Sequence, residues 1–190
     1  MTRAAGRLAV LSMMSLLMLT TFSAADAARL APWGEGPRAA FTLDGVDGGS
    51  RSLATFKGRI VLVHFFATWC EPCVRELTSL NALARATRDR PLSIVAIDVG
   101  EVDLRVRAFL QKLPVDFPVL LDRDRAVARS WKVSALPSTI VLDADLVPRL
   151  FVEGDLDWTG SDTIAALARL DPAIPLRPTT PTASAAATVK

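Results

Sequence analysis

The sequence predicts an α/β fold, a sheet with a parallel core covered by helices, and three observations carry that reading. Residues 60–67 (Ile-Val-Leu-Val-His-Phe-Phe-Ala) form a near-continuous apolar run of strand length, the pattern of a parallel strand buried on both faces. Strand-like and helix-like segments then alternate along the chain, which sets strands side by side with crossover helices on the sheet faces. Beyond residue 137 the alternation stops. Two apolar segments, 138–142 and 146–152, flank a tight Asp143-Ala144-Asp145 turn and predict an antiparallel hairpin.

The elements follow in order. Residues 41–43 alternate, Asp47-Gly48-Gly49-Ser50 is a glycine-rich turn and residues 51–53 form a second short segment, so a hairpin precedes the main sheet. After strand 60–67 comes helix 73–87, in which Val74, Leu77, Leu80 and Ala84 recur at helical spacing while Arg75, Arg85 and Arg88 take other faces. Strand 92–99, helix 102–112, a short strand at 119–121 and helix 126–131 lead to the closing hairpin. The last helix, 163–170, is expected to be capped by Ser161 or Asp162. The chain has no internal repeat.

Both ends read differently from the middle. Arg3 and Arg7, an apolar stretch at 8–19 and Ala25-Asp26-Ala27 make residues 1–27 an export signal. That stretch is short of the roughly 20 residues that span a bilayer, so cleavage is expected over retention as an anchor. The absence of a cysteine near the site excludes a lipoprotein. Residues 28–171 make one domain, long enough to bury a core unaided. Residues 172–190, with Pro172, Pro175, Pro178 and Pro181 among Thr, Ala and Ser, read as a disordered tail. A formal net charge of +2 points to neither a nucleic-acid nor an anionic-membrane partner.

The chain has 2 cysteines, and they stand together in Trp69-Cys70-Glu71-Pro72-Cys73, where strand 60–67 gives way to a helix. One pair is too few for a disulfide-stapled scaffold, so these thiols serve exchange. At a helix N-terminus the free backbone N–H groups and the dipole stabilise an anion, which makes Cys70 the more acidic thiol and the nucleophile. Pro72 suits the first turn. Cys73, one turn deeper, is the resolving thiol that opens the mixed disulfide formed at Cys70. A zinc site needs four ligands of the Cys or His kind, and 1 histidine with no third cysteine does not supply them. Two thiolates still suit Cu(I), so transient copper handling stands as a side reading. No cofactor and no resident metal are expected. A peroxidase on the same fold needs Pro at the position of Val63 and Thr at that of Ala67, and this chain has neither.

Three stretches together resemble the exported thioredoxin-fold thiol–disulfide oxidoreductases of the ResA/TlpA/CcmG group: residues 61–73 ending in Thr-Trp-Cys-Glu-Pro-Cys, Asp-Phe-Pro-Val-Leu-Leu-Asp at 116–122, and Val-Ser-Ala-Leu-Pro-Ser-Thr at 133–139. The likeness covers roughly residues 41–170. It implies a thioredoxin fold with a central mixed sheet flanked by helices, an N-terminal hairpin and a helix–strand insert at 100–122. It implies a periplasmic monomer recharged by a membrane thiol transporter. Its clients would be disulfide-containing proteins, either apocytochrome c, whose haem-attachment cysteines must be reduced, or a copper-site protein.

Further site residues follow from the resemblance. Glu76 lies three residues past Cys73, adjacent on a helix; the group carries a glutamate there, a proton acceptor for Cys73 with its own affinity for protons raised by desolvation. Position alone reads it equally as a first-turn acid favouring the helix dipole. Leu136-Pro137 matches the group's cis proline facing the dithiol, and Trp69 joins the same client-binding surface, although an aromatic at a strand end also serves plain packing. His64, the lone histidine, stands where cytosolic thioredoxins bury an acid; the expectation is a core imidazole hydrogen-bonded to backbone, with a proton relay as the alternative. Glu71 places a negative charge beside the sulfur and opposes thiolate formation, which favours a reductant over an oxidant. A redox-inactive peptide-binding adaptor is disfavoured by the intact thiol pair.

Overall fold

The computed structural model describes residues 28–171. The export signal expected at 1–27 and the disordered tail expected at 172–190 lie outside the described residues. The central strand is β4 (Ile60–Phe66), every residue of it buried. It pairs in parallel with β5 (Leu92–Val99), and β5 pairs in parallel with β6 (Val119–Asp122). On its other side β4 runs antiparallel to β7 (Ser138–Leu142), which pairs antiparallel with β8 (Pro148–Glu153). A two-residue strand, β1 (Ala31–Pro32), closes the far edge against β8; it is too short to leave a periodic signal in the sequence. The sheet is therefore mixed, in the order β1-β8-β7-β4-β5-β6.

The period of two along β4 sorts its residues between two cores. Ile60, Leu62 and Phe66 face the side covered by α1 (Glu71–Ala86), α2 (Asp103–Lys112) and α4 (Ser161–Leu170), where Leu77, Leu80, Val106 and Leu167 meet them. Val61, Val63 and Phe65 face Phe41, Leu53 and Trp131, the last at the end of the short α3 (Ala126–Ser130). The predicted N-terminal hairpin is β2 (Thr42–Asp44) with β3 (Ser50–Ser52), followed by one 3-10 turn at Leu53–Phe56. A backbone bond from Val46 N to Val119 O, 2.9 Å, docks it along β6 and covers that sheet edge.

Boundaries move where side chains claim backbone groups. α1 starts at Glu71 rather than residue 73, because Cys70 itself takes the N-cap place and Pro72 fits the first turn. The closing hairpin turns later than expected: Asp143 accepts the N–H groups of Asp145 and Val147 (3.0 and 2.9 Å), Leu146 adopts φ 64°, and β8 begins only at Pro148. Neither Ser161 nor Asp162 caps α4. Gly160 holds the cap position without a side-chain bond, and Asp162 sits in the first turn where its charge favours the dipole.

A buried acid missing from the sequence reading secures α3. Asp122, the last residue of β6 and fully buried, accepts from Val127 N at 3.2 Å and Ala128 N at 2.8 Å. Asp122→Ala leaves both donors unmet, so unfolding by denaturant should show a loss of about 2 kcal/mol, the usual cost of orphaning such groups. Asp122→Asn keeps one acceptor and should lose less; equal loss in both variants would mean that packing, not capping, is what Asp122 supplies.

Candidate active site

The dithiol sits where β4 ends and α1 begins, joined as a Cys70–Cys73 disulfide with Cα atoms 5.3 Å apart. Cys73 N–H donates to Cys70 Sγ at 3.3 Å, so the sulfur of the first cysteine serves as the helix N-cap acceptor. Cys70 keeps 5% of its surface exposed and Cys73 none. An incoming disulfide therefore meets Cys70 first, and the same helix N-terminus that caps on its sulfur stabilises its thiolate once the pair is reduced.

Glu76 lies one turn along α1 and is 2% exposed. Its Oε1 accepts from Trp158 Nε1 at 2.5 Å, while Oε2 is buried with no hydrogen-bond partner. Trp158 is brought there by Ser79 on α1, whose hydroxyl accepts Trp158 N–H at 3.3 Å. Burial pushes the Glu76 carboxyl up to about 8, against the lowering by the indole donor. Near neutral pH it holds a proton within the helix that carries Cys73.

His64 is a core imidazole, with a different partner from the backbone group expected. Its Nδ1 meets Thr139 Oγ1 of β7 at 2.9 Å, and the ring stacks on Phe66 with centroids 6.0 Å apart. Burial drives its pKa down to about 3, so the ring is neutral. The β4–β7 register explains the partner: His64 lies opposite Thr139, and strand backbone groups are already spent in the ladder.

Glu71 corrects the electrostatic argument made from sequence. Its side chain is 88% exposed and pairs with Arg75 at 3.3 Å, so water screens its charge from the dithiol. Trp69 is 66% exposed beside Cys70. Leu136 is half-buried, Pro137 is buried, and the bond between them is cis. The pairing of Phe65 with Ser138 puts Pro137 at the end of the sheet from which the chain runs to Cys70. Trp69, Cys70, Cys73, Glu76, Leu136 and Pro137 thus share one end of the molecule.

Comparison with known proteins fits this geometry. A family model described as AhpC/TSA family matches residues 36–148, more than half of the chain. The chain belongs to the AhpC/TSA family. Thiol-disulfide oxidoreductase ResA of Geobacillus thermodenitrificans is 30% identical over 116 residues, covering 61% of this chain and 67% of that one. ResA of Bacillus subtilis is 35% identical over 105 residues, 55% of this chain and 59% of its own. Among solved structures, a putative thiol:disulfide interchange protein DsbE from Chlorobium tepidum superposes with a TM-score of 0.65 at 23% identity, covering 74% of this chain and 97% of that one. This likeness is one of fold: the thioredoxin-like α/β architecture.

Within the AhpC/TSA family the chain is a thiol–disulfide oxidoreductase, with Cys70 and Cys73 as its dithiol. Val63 and Ala67 are fully buried apolar residues where the peroxidase signature asks for Pro and Thr. Among the described residues no group of three or more His, Cys, Asp or Glu is arranged to hold a metal ion. Two acids near the dithiol escaped the sequence reading. Asp98 interrupts the apolar run of β5 at 1% exposure, and Glu101, two residues beyond Val99, reaches back to Thr68. The one available signal was the carboxylate inside a strand that is otherwise buried and apolar.

Proposed function

We propose that this oxidoreductase acts outside the cytoplasm as a reductant of disulfides in partner proteins. The observation that carries the reading is the charge around the dithiol. Arg75, the basic residue nearest in sequence, is turned to Glu71 and Asp155 at 3.3 Å each, while the buried group that shares α1 with Cys73 is an acid. With Arg75 spent on those two acids, the Cys70 thiolate is only moderately stabilised, and a dithiol of that kind gives its electrons away.

In the reaction, the Cys70 thiolate attacks a partner disulfide, forming a Cys70–partner S–S bond and releasing the partner's first thiolate. Cys73 gives its proton to Glu76 in its ionised form and attacks Cys70 Sγ. The second partner sulfur leaves, the Cys70–Cys73 bond forms and two electrons have passed to the partner. Trp69, Leu136 and Pro137 are the surface on which the client segment lies. Export by residues 1–27 and a single domain at 28–171 complete the reading. Among the described residues no helix is long and apolar enough to cross a membrane. The clients that fit are apocytochrome c or a copper-site protein, and a membrane thiol transporter would restore the dithiol in the single protein copy.

A redox titration against glutathione tests the direction. The potential is expected nearer the thioredoxin value of about −270 mV than the DsbA value of about −120 mV. A result at the DsbA end makes the protein an oxidant.

A further inference from the structure

Glu101 and Asp98 have no part in the exchange chemistry, yet they form a buried pair of acids next to it. Glu101 belongs to the loop after β5, and its side chain is 3% exposed. Its Oε2 accepts Thr68 N–H at 2.5 Å and its Oε1 accepts the Thr68 hydroxyl at 2.8 Å. Thr68 stands two residues before Cys70, in the turn that carries the chain from β4 to the dithiol. One carboxylate therefore holds both donors of the residue that launches the redox turn. Gly100 makes the reach possible: its φ of 78° turns the chain sharply after β5, and its N–H is anchored on Asp122 O at 3.0 Å. A Cβ there would collide with the Arg125 side chain.

Asp98 completes the arrangement. It is 1% exposed, and no group beyond the adjacent Glu101 bonds to its oxygens. In register it is flanked by Phe66 of β4 and Leu121 of β6, which do not titrate. The charged groups acting on the two acids are each other and Arg105 of α2, 3.6 Å from Glu101. Burial raises the Asp98 carboxyl and the adjacent Glu101 adds to the rise. Burial also works to raise Glu101, but bonds from Asp98 and from both Thr68 donors, with Arg105, outweigh it and hold it below the usual carboxylate value. Two adjacent buried carboxyls with one proton between them satisfy every observation: Asp98 holds the proton, and Glu101 holds the charge that Thr68 binds.

We propose that Glu101 is a positioning residue for the dithiol, its buried carboxylate fixing Thr68 and through it the turn that presents Cys70, with Asp98 holding the proton that keeps the pair singly charged. The inference deepens the exchange reading above and rests on it for its purpose. Its test needs neither a client nor a reducing direction. At alkaline pH, where the second proton leaves, two facing carboxylates repel and the Thr68 clamp loosens.

The readouts are the Thr68 amide resonance in NMR and the rate at which Cys70 of the reduced protein is alkylated by iodoacetamide, both followed against pH. In the wild type the Thr68 amide is expected far downfield at neutral pH, moving upfield on the alkaline side. Glu101→Gln should abolish the downfield shift and slow alkylation about tenfold, the kinetic equivalent of one charge-assisted hydrogen bond. Asp98→Asn places a permanent amide donor where the proton was, so it should keep the neutral-pH shift and rate and remove the alkaline change. An unchanged Thr68 shift or alkylation rate in Glu101→Gln overturns the positioning role, and a clamp already lost at neutral pH in Asp98→Asn overturns the proton assignment. Should Glu101→Gln not fold, Thr68→Val removes only the hydroxyl half of the clamp, and wild-type alkylation in that variant also overturns the proposal. Loss of client reduction with all these signatures intact would strike the reductant reading and leave this one standing.

Discussion

Cys70→Ser is expected to lower the reduction of a partner disulfide by about 10³-fold or more, because a hydroxyl in its place has no accessible anion and the reaction loses its nucleophile outright. The assignment to Cys70 rests on geometry. Its sulfur occupies the N-cap of α1 and retains the exposure, whereas Cys73 is sealed within the apolar cluster formed with Leu77 and Phe66. Cys73→Ser should give the complementary result. It leaves the nucleophile able to attack but removes the thiol that opens the intermediate, so mixed disulfides accumulate and can be resolved on non-reducing gels. Trapping partners with Cys70→Ser and not with Cys73→Ser would reverse the two roles.

The dithiol was legible in the sequence because its signal is local: two cysteines, a proline between them, an apolar strand before and a helical period after. The mixed sheet was legible for the same reason, through the buried run of β4 and the two segments of the closing hairpin. The residues that surround the dithiol in space were harder to find. Trp158 reaches Glu76 across 82 positions of chain and His64 reaches Thr139 across 75, and no periodicity encodes such pairs. Glu71 failed in the opposite way. Adjacent in sequence to the sulfur, it takes the outer face of α1 and spends its charge on Arg75 in water. Asp98 and Glu101 show why a strand pattern alone gives no role to an acid: the fold, not the local sequence, brings Thr68 to the loop after β5.

Glu76→Gln is expected to separate chemistry from stability. The wild-type carboxyl is raised from an ordinary 4.5 to about 8, chiefly by burial. For an acid shifted in this direction the folded protein holds a proton that the unfolded chain releases once pH passes the ordinary value. Stability from this group is therefore fully present below about pH 4.5, declines as pH rises, and reaches its floor near pH 8. At about 1.4 kcal/mol for each tenfold difference in proton affinity, the decline amounts to several kcal/mol. Glutamine keeps the acceptor for Trp158 Nε1 and carries no charge, so denaturation across that pH range should give a flatter curve than the wild type and equal or greater stability above pH 8. Asp98 titrates in the same direction and is common to both proteins, so the difference between the two curves belongs to Glu76. The kinetics should move the other way. With no carboxylate to take the Cys73 proton, the second exchange step should slow by about 10²-fold, the usual share of a positioned general base, and lose the inflection near pH 8. A variant that flattens the stability curve but retains the wild-type pH–rate profile would make Glu76 a buried structural acid, and the proton would then have to pass through another group, with His64, whose Nε2 is buried and unpaired, the next candidate.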